Sequence, residues 1–284
     1  MAYIIRHEED YSESDFRNNS DVMFYRTRTI VAGETLDIKT YPVYRKKTGH
    51  VLKRLPSKEK MQRQNEKRAK QMLVHLMNAN FGAGDLHVTG TYSGPELPDA
   101  EQCANDAKNY MRRINREREK RGLPPARYIY VIEGKTEEDK RTRVHTHIIL
   151  EKGLDRDTVE RLWQCGKKTG AARGTCNADR LQPGDMQLTA LATYLAKDPK
   201  GRKRWKGSKN LKKPEVFISD SKIKRAHIAK LARNEVNPVD FFAKLYPGYQ
   251  LRDMEIKTNQ YISGAAVCVK MQRIGGGTKR KEDT

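Results

Sequence analysis

Two short runs constrain the centre of this chain more than any other feature. Arg127–Glu133 reads Arg-Tyr-Ile-Tyr-Val-Ile-Glu, and Arg143–Glu151 reads Arg-Val-His-Thr-His-Ile-Ile-Leu-Glu. Both are rich in the aromatic and β-branched residues that suit a pleated, half-buried surface. The charged segment Gly134–Thr142 between them predicts a turn, so the two runs read as an antiparallel hairpin. A hairpin cannot stand alone in water; it needs further strands and a layer of helices.

The flanking sequence supplies both. Leu86–Tyr92 alternates as a strand. Pro98–Arg121 reads as a helix because Cys103, Ala107, Tyr110, Met111 and Ile114 recur at helical spacing, and Gly122-Leu-Pro-Pro stops it. Asp155–Trp163 and Asp185–Asp198 read as two shorter helices. Upstream, a strand pair is expected between Val22 and Tyr44, broken at Ala32-Gly-Glu34. A helix capped by Ser57 then runs to about Asn80, and a further basic helix is expected near Ser221–Arg233. The predicted class is α+β, with an antiparallel central sheet flanked by helices. The domains expected are a strand pair and basic helix at 1–80, a central domain at 81–214, a helical and strand extension at 215–270 and a disordered basic tail at 271–284.

Composition enters through charge. The chain has 57 Lys and Arg against 36 Asp and Glu over 284 residues, a formal charge of +21 and a pI near 9.8. Such an excess repels itself unless a polyanion neutralises it, so nucleic acid is the expected partner. No run has the length of a spanning helix and the first residues lack a signal-peptide core, so no membrane partner and a cytoplasmic (bacterial) location are expected. Cys103, Cys165, Cys176 and Cys268 are scattered without a Cys-x-x-Cys, which argues against a zinc ribbon or a disulfide framework.

Chemistry concentrates in two places. His145 and His147 are two apart on a strand and therefore share a face, and Glu133 ends the neighbouring strand. Two imidazoles and a carboxylate suit Mn²⁺, or Mg²⁺ with retained waters. The bland alternative is one packed and one solvated histidine. The second place is Tyr194-Leu-Ala-Lys197-Asp198, where tyrosine and lysine lie one helical turn apart. A phenol needs help to act as a nucleophile, and a nearby cation can give it. Thirteen tyrosines make packing the ordinary role, and Tyr44-x-x-Lys47 repeats the pattern on an expected strand. Beyond Asp198 comes a dense basic stretch: Lys200, Arg202, Lys203, Arg204, Lys206, Lys209, Lys212 and Lys213, with Trp205 among them.

Taken in order, Tyr130-Val-Ile-Glu133, His145-Thr-His147-Ile-Ile-Leu150, Leu181-Gln-Pro183, Tyr194-Leu-Ala-Lys-Asp-Pro-Lys-Gly-Arg-Lys-Arg-Trp205 and Ser208-Lys-Asn-Leu-Lys-Lys-Pro214 resemble the single-tyrosine HUH endonucleases. Among these, they are most similar to rolling-circle replication initiators of bacterial plasmids, phages and integrative elements. The resemblance spans roughly residues 60–270. It implies a ferredoxin- or RRM-like HUH fold, with His145, His147 and Glu133 as metal ligands and Asp198 approaching the metal. It further implies Tyr194 as the nucleophile that takes a 5′-phosphate, and Lys197 beside that phosphate.

Arg202, Lys203, Arg204, Trp205, Lys209, Lys212 and Lys213 would hold the strand, with Trp205 as a stacking platform. Expected partners are single-stranded or hairpin DNA at a replication origin, a polymerase and a host helicase, because no Gly-x-x-x-x-Gly-Lys-Ser/Thr occurs in these residues. Two departures stand out. Thr146 replaces the bulky apolar residue between the histidines, and His87 has no assigned role. Rival readings are a relaxase or single-strand transposase with the same chemistry, a two-histidine phosphoesterase using His87-Val-Thr89, and a binding module without chemistry.

Overall fold

The computed structural model describes residues 4–7, 22–45, 58–93, 98–133, 144–164, 173–197, 205–259 and 262–275. Along the chain run β1 (Ile4–His7), β2 (Val22–Ala32), β3 (Thr35–Tyr44), α1 (Lys58–Asn80), β4 (Leu86–Tyr92), α2 (Ala100–Lys120), β5 (Tyr128–Glu133) and β6 (His145–Leu150). There follow α3 (Arg156–Gln164), β7 (Arg173–Arg180), α4 (Thr189–Leu195), β8 (Trp205–Gly207), β9 (Glu215–Ser219), α5 (Arg225–Ala232), α6 (Pro238–Leu245), β10 (Tyr249–Asn259) and β11 (Ile262–Arg273). The class is α+β, as expected, but the strands form two sheets. The chain divides into two compact units, one of residues 57–213 and one of residues 1–56 with 214–284.

In the continuous unit the sheet order is β7-β4-β6-β5-β8, and every neighbour is antiparallel. The expected hairpin is its centre, with Glu133 opposite His145 and Val131 opposite His147. Strict alternation gives the sheet two different faces. Leu86, Val88, Tyr130, Ile148, Leu150 and Ala178 point to one, and bury against Cys103, Ala107, Tyr110, Met111 and Ile114 of α2 and Val159, Leu162 and Trp163 of α3. Ile129, Val131 and Ile149 point to the other. There they bury against Leu73, Leu76 and Met77 of α1 and Ala192 and Leu195 of α4. A fully buried Leu or Ile contributes about 1.5–3 kcal/mol, so these clusters fix which face each helix covers. Towards one end this second face carries His87, Thr89, Glu133, His145 and His147 in place of aliphatic side chains.

The other unit is a six-stranded sheet ordered β1-β10-β11-β3-β2-β9, antiparallel except for β1 against β10. Tyr25, Leu36, Ile38, Met254, Ile256, Val267 and Val269 line one face, and bury against Ile228 and Leu231 of α5 and Phe242 of α6. The turn at Gly33 takes a positive φ of 59°, which glycine tolerates without strain.

This division departs in two ways from the expected grouping of residues 1–80 and 215–270. Helix α1 belongs with the residues after it, because its buried Leu73, Leu76 and Met77 pack on β5 and β6. The first 56 residues are not separate from the C-terminal part, since β2 and β3 pair directly with β9 and β11.

Candidate active site on the second sheet face

The site is built from three adjacent strands. Register places Thr89 of β4 and Val131 of β5 on either side of His147 in β6, with Thr91 and Glu133 flanking His145. The Glu133 carboxylate crosses diagonally to His147, with Oε2 2.9 Å from Nε2. On the other side, His87 Nε2 lies 3.1 Å from His147 Nδ1, and Thr89 Oγ1 lies 3.4 Å from the same nitrogen. His145 stands beside them, its ring centroid 6.3 Å from that of His147.

The acceptor-only character of an ionised carboxylate assigns the protons. His147 Nε2–H donates to Glu133, which leaves Nδ1 to accept from His87 Nε2–H or the Thr89 hydroxyl. Burial holds both His87 and His147 below the ordinary imidazole range. For His87 the neighbouring His147 adds to that effect; for His147 the Glu133 contact opposes it. Both imidazoles are therefore neutral at pH 7, the form in which a ring nitrogen can hold a cation.

Among the described residues, no three His, Cys, Asp or Glu side chains converge as a preformed metal site. The donor set nevertheless fits one chemically. For His147 Nε2 to hold a cation it must shed the proton now shared with Glu133, and Nδ1–H can then donate to His87 Nε2 or Thr89 Oγ1, both within 3.4 Å. A ligating histidine needs such a partner on its second nitrogen.

Helix α4 borders this face. Its seven residues are too few to hold a helix unaided, so its place comes from packing. Ala192 and Leu195 bury against Ile129, Val131 and Ile149. Leu188 at the N-cap makes no side-chain cap, and Asn78 of α1 substitutes. Its Oδ1 accepts from Leu188 N at 2.9 Å, and its Nδ2 donates to Thr189 Oγ1 at 3.1 Å. Ala190 and Leu191 line a groove with His87, Asp179 and the Gly184–Gln187 turn. Tyr194 lies four residues beyond Ala190 and three beyond Leu191, and so continues the same helical stripe. Its side chain is exposed (46%), with Lys197 Nζ 5.1 Å over the ring centroid.

Residues 85–199 match a family of replication-associated proteins, the ORF2 type. The matched span begins just before β4 and ends just after α4, so it encloses the three strands that carry His87, Glu133, His145 and His147 together with α4. The match supports a replication initiator. No curated protein and no solved structure matches the chain.

Other expected site residues fall as follows. Asp198, Arg202, Lys203 and Arg204 lie outside the described residues. Trp205 is half-buried on β8, opposite Val131, and packs against the cluster under α4 instead of standing free. Lys209, Lys212 and Lys213 are exposed on the loop after β8. That loop is fastened by Asn80, whose Oδ1 accepts from Lys212 N at 2.7 Å while its Nδ2 donates to Lys212 O at 2.9 Å. Tyr44, the rival tyrosine, lies on β3 in the other unit, and burial raises its phenol to about 12. The HUH resemblance gave no role to His87 or Thr89, which entered only the phosphoesterase reading. Their alternation with Val88 was visible, but only the β4–β6 register brings them to His147.

Thr146 also receives an explanation. It points away from the histidines, fully buried opposite Gly90, and the Trp163 indole lies against Gly90. The bulk expected at position 146 is supplied on this face from α3.

Among the described residues no helix is long and apolar enough to cross a membrane. Cys103, Cys176 and Cys268 are free thiols, and burial raises Cys103 to about 11 and Cys176 to about 12.

Proposed function

We propose that this protein is a replication initiator of the single-tyrosine HUH type, which nicks and rejoins single-stranded DNA to start rolling-circle replication. The observation that carries the reading is the His87–His147–Glu133 contact chain on the second sheet face, bordered by α4, inside the span that matches replication-associated proteins.

In this reading His145, His147 and Glu133 hold a divalent cation, Mn²⁺ or Mg²⁺, with Asp198 approaching it. When bound, the cation would polarise the scissile phosphate as a Lewis acid. Tyr194 Oη forms the new bond to phosphorus as the bond to the 3′ oxygen breaks, and the phenolic proton is balanced by the proton that the 3′-hydroxyl gains. The products are a free 3′-OH that primes a polymerase and a 5′-phosphotyrosine on the protein. Lys197, placed over the Tyr194 ring, sets a positive charge beside the pentavalent phosphate. Because the phosphotyrosine is again a phosphodiester, a later 3′-OH reverses the step and closes a circle. A host helicase would unwind the duplex, and the basic loop at Lys206–Lys213 would hold the displaced strand.

The test is a denaturing-gel adduct assay with Mn²⁺ and a single-stranded library of random hairpin loops. A covalent protein–DNA band is expected, lost with Tyr194→Phe and with chelator, retained with Tyr44→Phe. Loss with Tyr44→Phe instead would overturn the site. Salt-sensitive binding with no band, on a library that includes the native origin, would leave a binding protein without this chemistry.

A further inference from the structure

Helix α2 covers the sheet face opposite the histidines, and its outer surface takes no part in the chemistry above. Lys108, Arg112, Arg116 and Lys120 occur there at intervals of four, all exposed. At 1.5 Å of rise and 100° of turn per residue they form a cationic row that rises about 18 Å along the helix, about 6 Å per charge, while winding through roughly 120° of its surface. Like charges four apart destabilise a helix, so the row carries an energetic cost. Lys108 and Arg112 meet neutral amides, Asn105 at 3.3 Å and Asn109 at 3.0 Å. Among the described residues, no carboxylate lies within ion-pair distance of Lys108, Arg112 or Arg116; Lys120 alone has one, Glu117 at 3.6 Å.

The surface beside the row is concave. Arg112, Asn115, Arg116, Leu123 and Pro125 line it, with Glu119 its one acid. Its far wall is tied to the basic loop after β8, because Asn210 Nδ2 donates to the Pro125 carbonyl at 3.0 Å. Ser208 is clamped to Tyr128 by two further bonds, from its own N–H to Tyr128 O and from Tyr128 N–H to its Oγ. Exposed Lys206 and Lys209 thus stand at the β8 edge of the sheet.

We propose that this row is a docking surface for the phosphate backbone of duplex DNA, separate from the strand path on the histidine face. The chemistry favours duplex over single strand. Single strands are gripped by cations together with stacking platforms, and α2 exposes no aromatic side chain, its Tyr110 being fully buried. Exposed Lys, Arg and Asn side chains along one inclined row are groups that contact duplex phosphates without reading bases. About 18 Å corresponds to roughly five base pairs of axis. The assignment rests on the proposed DNA function for its biological setting, though not for its measurement.

The experiment is equilibrium binding to a 30-base-pair duplex of arbitrary sequence and, separately, to a single-stranded oligonucleotide, each across a salt series. The full chain is compared with the quadruple variant Lys108→Gln, Arg112→Gln, Arg116→Gln, Lys120→Gln. Losing four phosphate contacts should lower the slope of log K against log salt by about 3 to 4 on the duplex. The single-strand slope and the adduct yield on a single-stranded substrate should not change. A variant keeping charge, Lys108→Arg with Lys120→Arg, should retain the duplex slope. Glutamine is a good helix former and removes like-charge repulsion, so melting temperature should hold or rise. An unchanged duplex slope would overturn the proposal, as would a loss confined to the single strand. Absence of any adduct in either protein would count against the nicking reading while leaving the slopes readable.

Discussion

Gly90 offers the sharpest test of the packing that holds the histidines in place. It sits in the middle of β4, between β6 and β7, flanked by Thr89 and Thr91. A Cβ added there would lie 2.5 Å from Trp163 Cζ2 and 2.6 Å from Cε2. Carbon atoms rest at about 3.5–4.0 Å, so one group must move. Trp163 has little room to do so: it is fully buried, donates from Nε1 to Thr91 O at 3.3 Å, and meets Tyr92 and Tyr110 edge-on at 5.8 and 5.2 Å. Overpacking of this kind costs about 1–3 kcal/mol, against which reduced freedom of the unfolded chain returns about 0.4–1 kcal/mol. Taken at mid-range, Gly90→Ala should therefore destabilise the unit by about 1.3 kcal/mol, a fall of roughly 3–5 °C in its melting temperature.

The assay is thermal and urea unfolding of the parent, Gly90→Ala, Trp163→Phe and the double variant. Trp163→Phe leaves a cavity and is destabilising alone, but it vacates the space that the added methyl needs. The double variant should therefore be more stable than the two losses added together, by about 1 kcal/mol or more. Additivity within about 0.5 kcal/mol, or a Gly90→Ala protein as stable as the parent, would refute the account.

Two further outcomes follow from the same structure. Burial holds His87 and His147 below the imidazole value of the unfolded chain, about 6.5. Above that pH neither state binds the proton; below it the unfolded chain takes one up first, so stability falls as pH drops. Urea unfolding of metal-free protein at pH 7.5 and 5.5 should show a larger loss for the parent than for His87→Gln with His147→Gln, and equal losses would contradict it. Separately, Arg118 is 3% exposed and donates to the Pro124 and Lys152 carbonyls, both at 2.8 Å, with Glu151 3.9 Å away. Arg118→Met strands those acceptors and should cost about 3–5 kcal/mol in thermal unfolding; a loss below 1 kcal/mol would show the network to be dispensable.

Much of the fold was legible where alternation or helical spacing ran unbroken. The turn at Gly33, helix α1, strand β4 and the β5–β6 pair all stand within a residue or two of where pattern placed them. Strand β7 could not be told from a loop by pattern, because Arg173–Arg180 is mostly polar, with Ala178 its buried apolar residue. Strand β10 escaped for a different reason. A bulge between Leu251 and Asp253 puts its buried residues at 251, 254 and 256, which reads as neither period. At the site, spacing alone paired His145 with His147 and proposed Glu133, because all three are local to one hairpin. Long-range register decided the rest. The part played by His87 depends on pairing between residues 60 apart, and the helix cap from Asn78 reaches across 110 positions.

In sequence the continuous unit lies inside the discontinuous one, and this arrangement sets a timetable for synthesis. The β2–β3 hairpin leaves the ribosome before β9 and β11, which close its two edges and come after residue 214. At about 5–20 residues per second, roughly ten to forty-five seconds separate the hairpin from its partners. During that interval residues 57–213 can complete their own sheet, while two unpaired strand edges wait nearby in sequence with nothing to pair with. The nascent chain thus carries a finished inner module and an unfinished outer one, and its yield in a cell depends on how well those waiting edges are shielded until the last strands arrive.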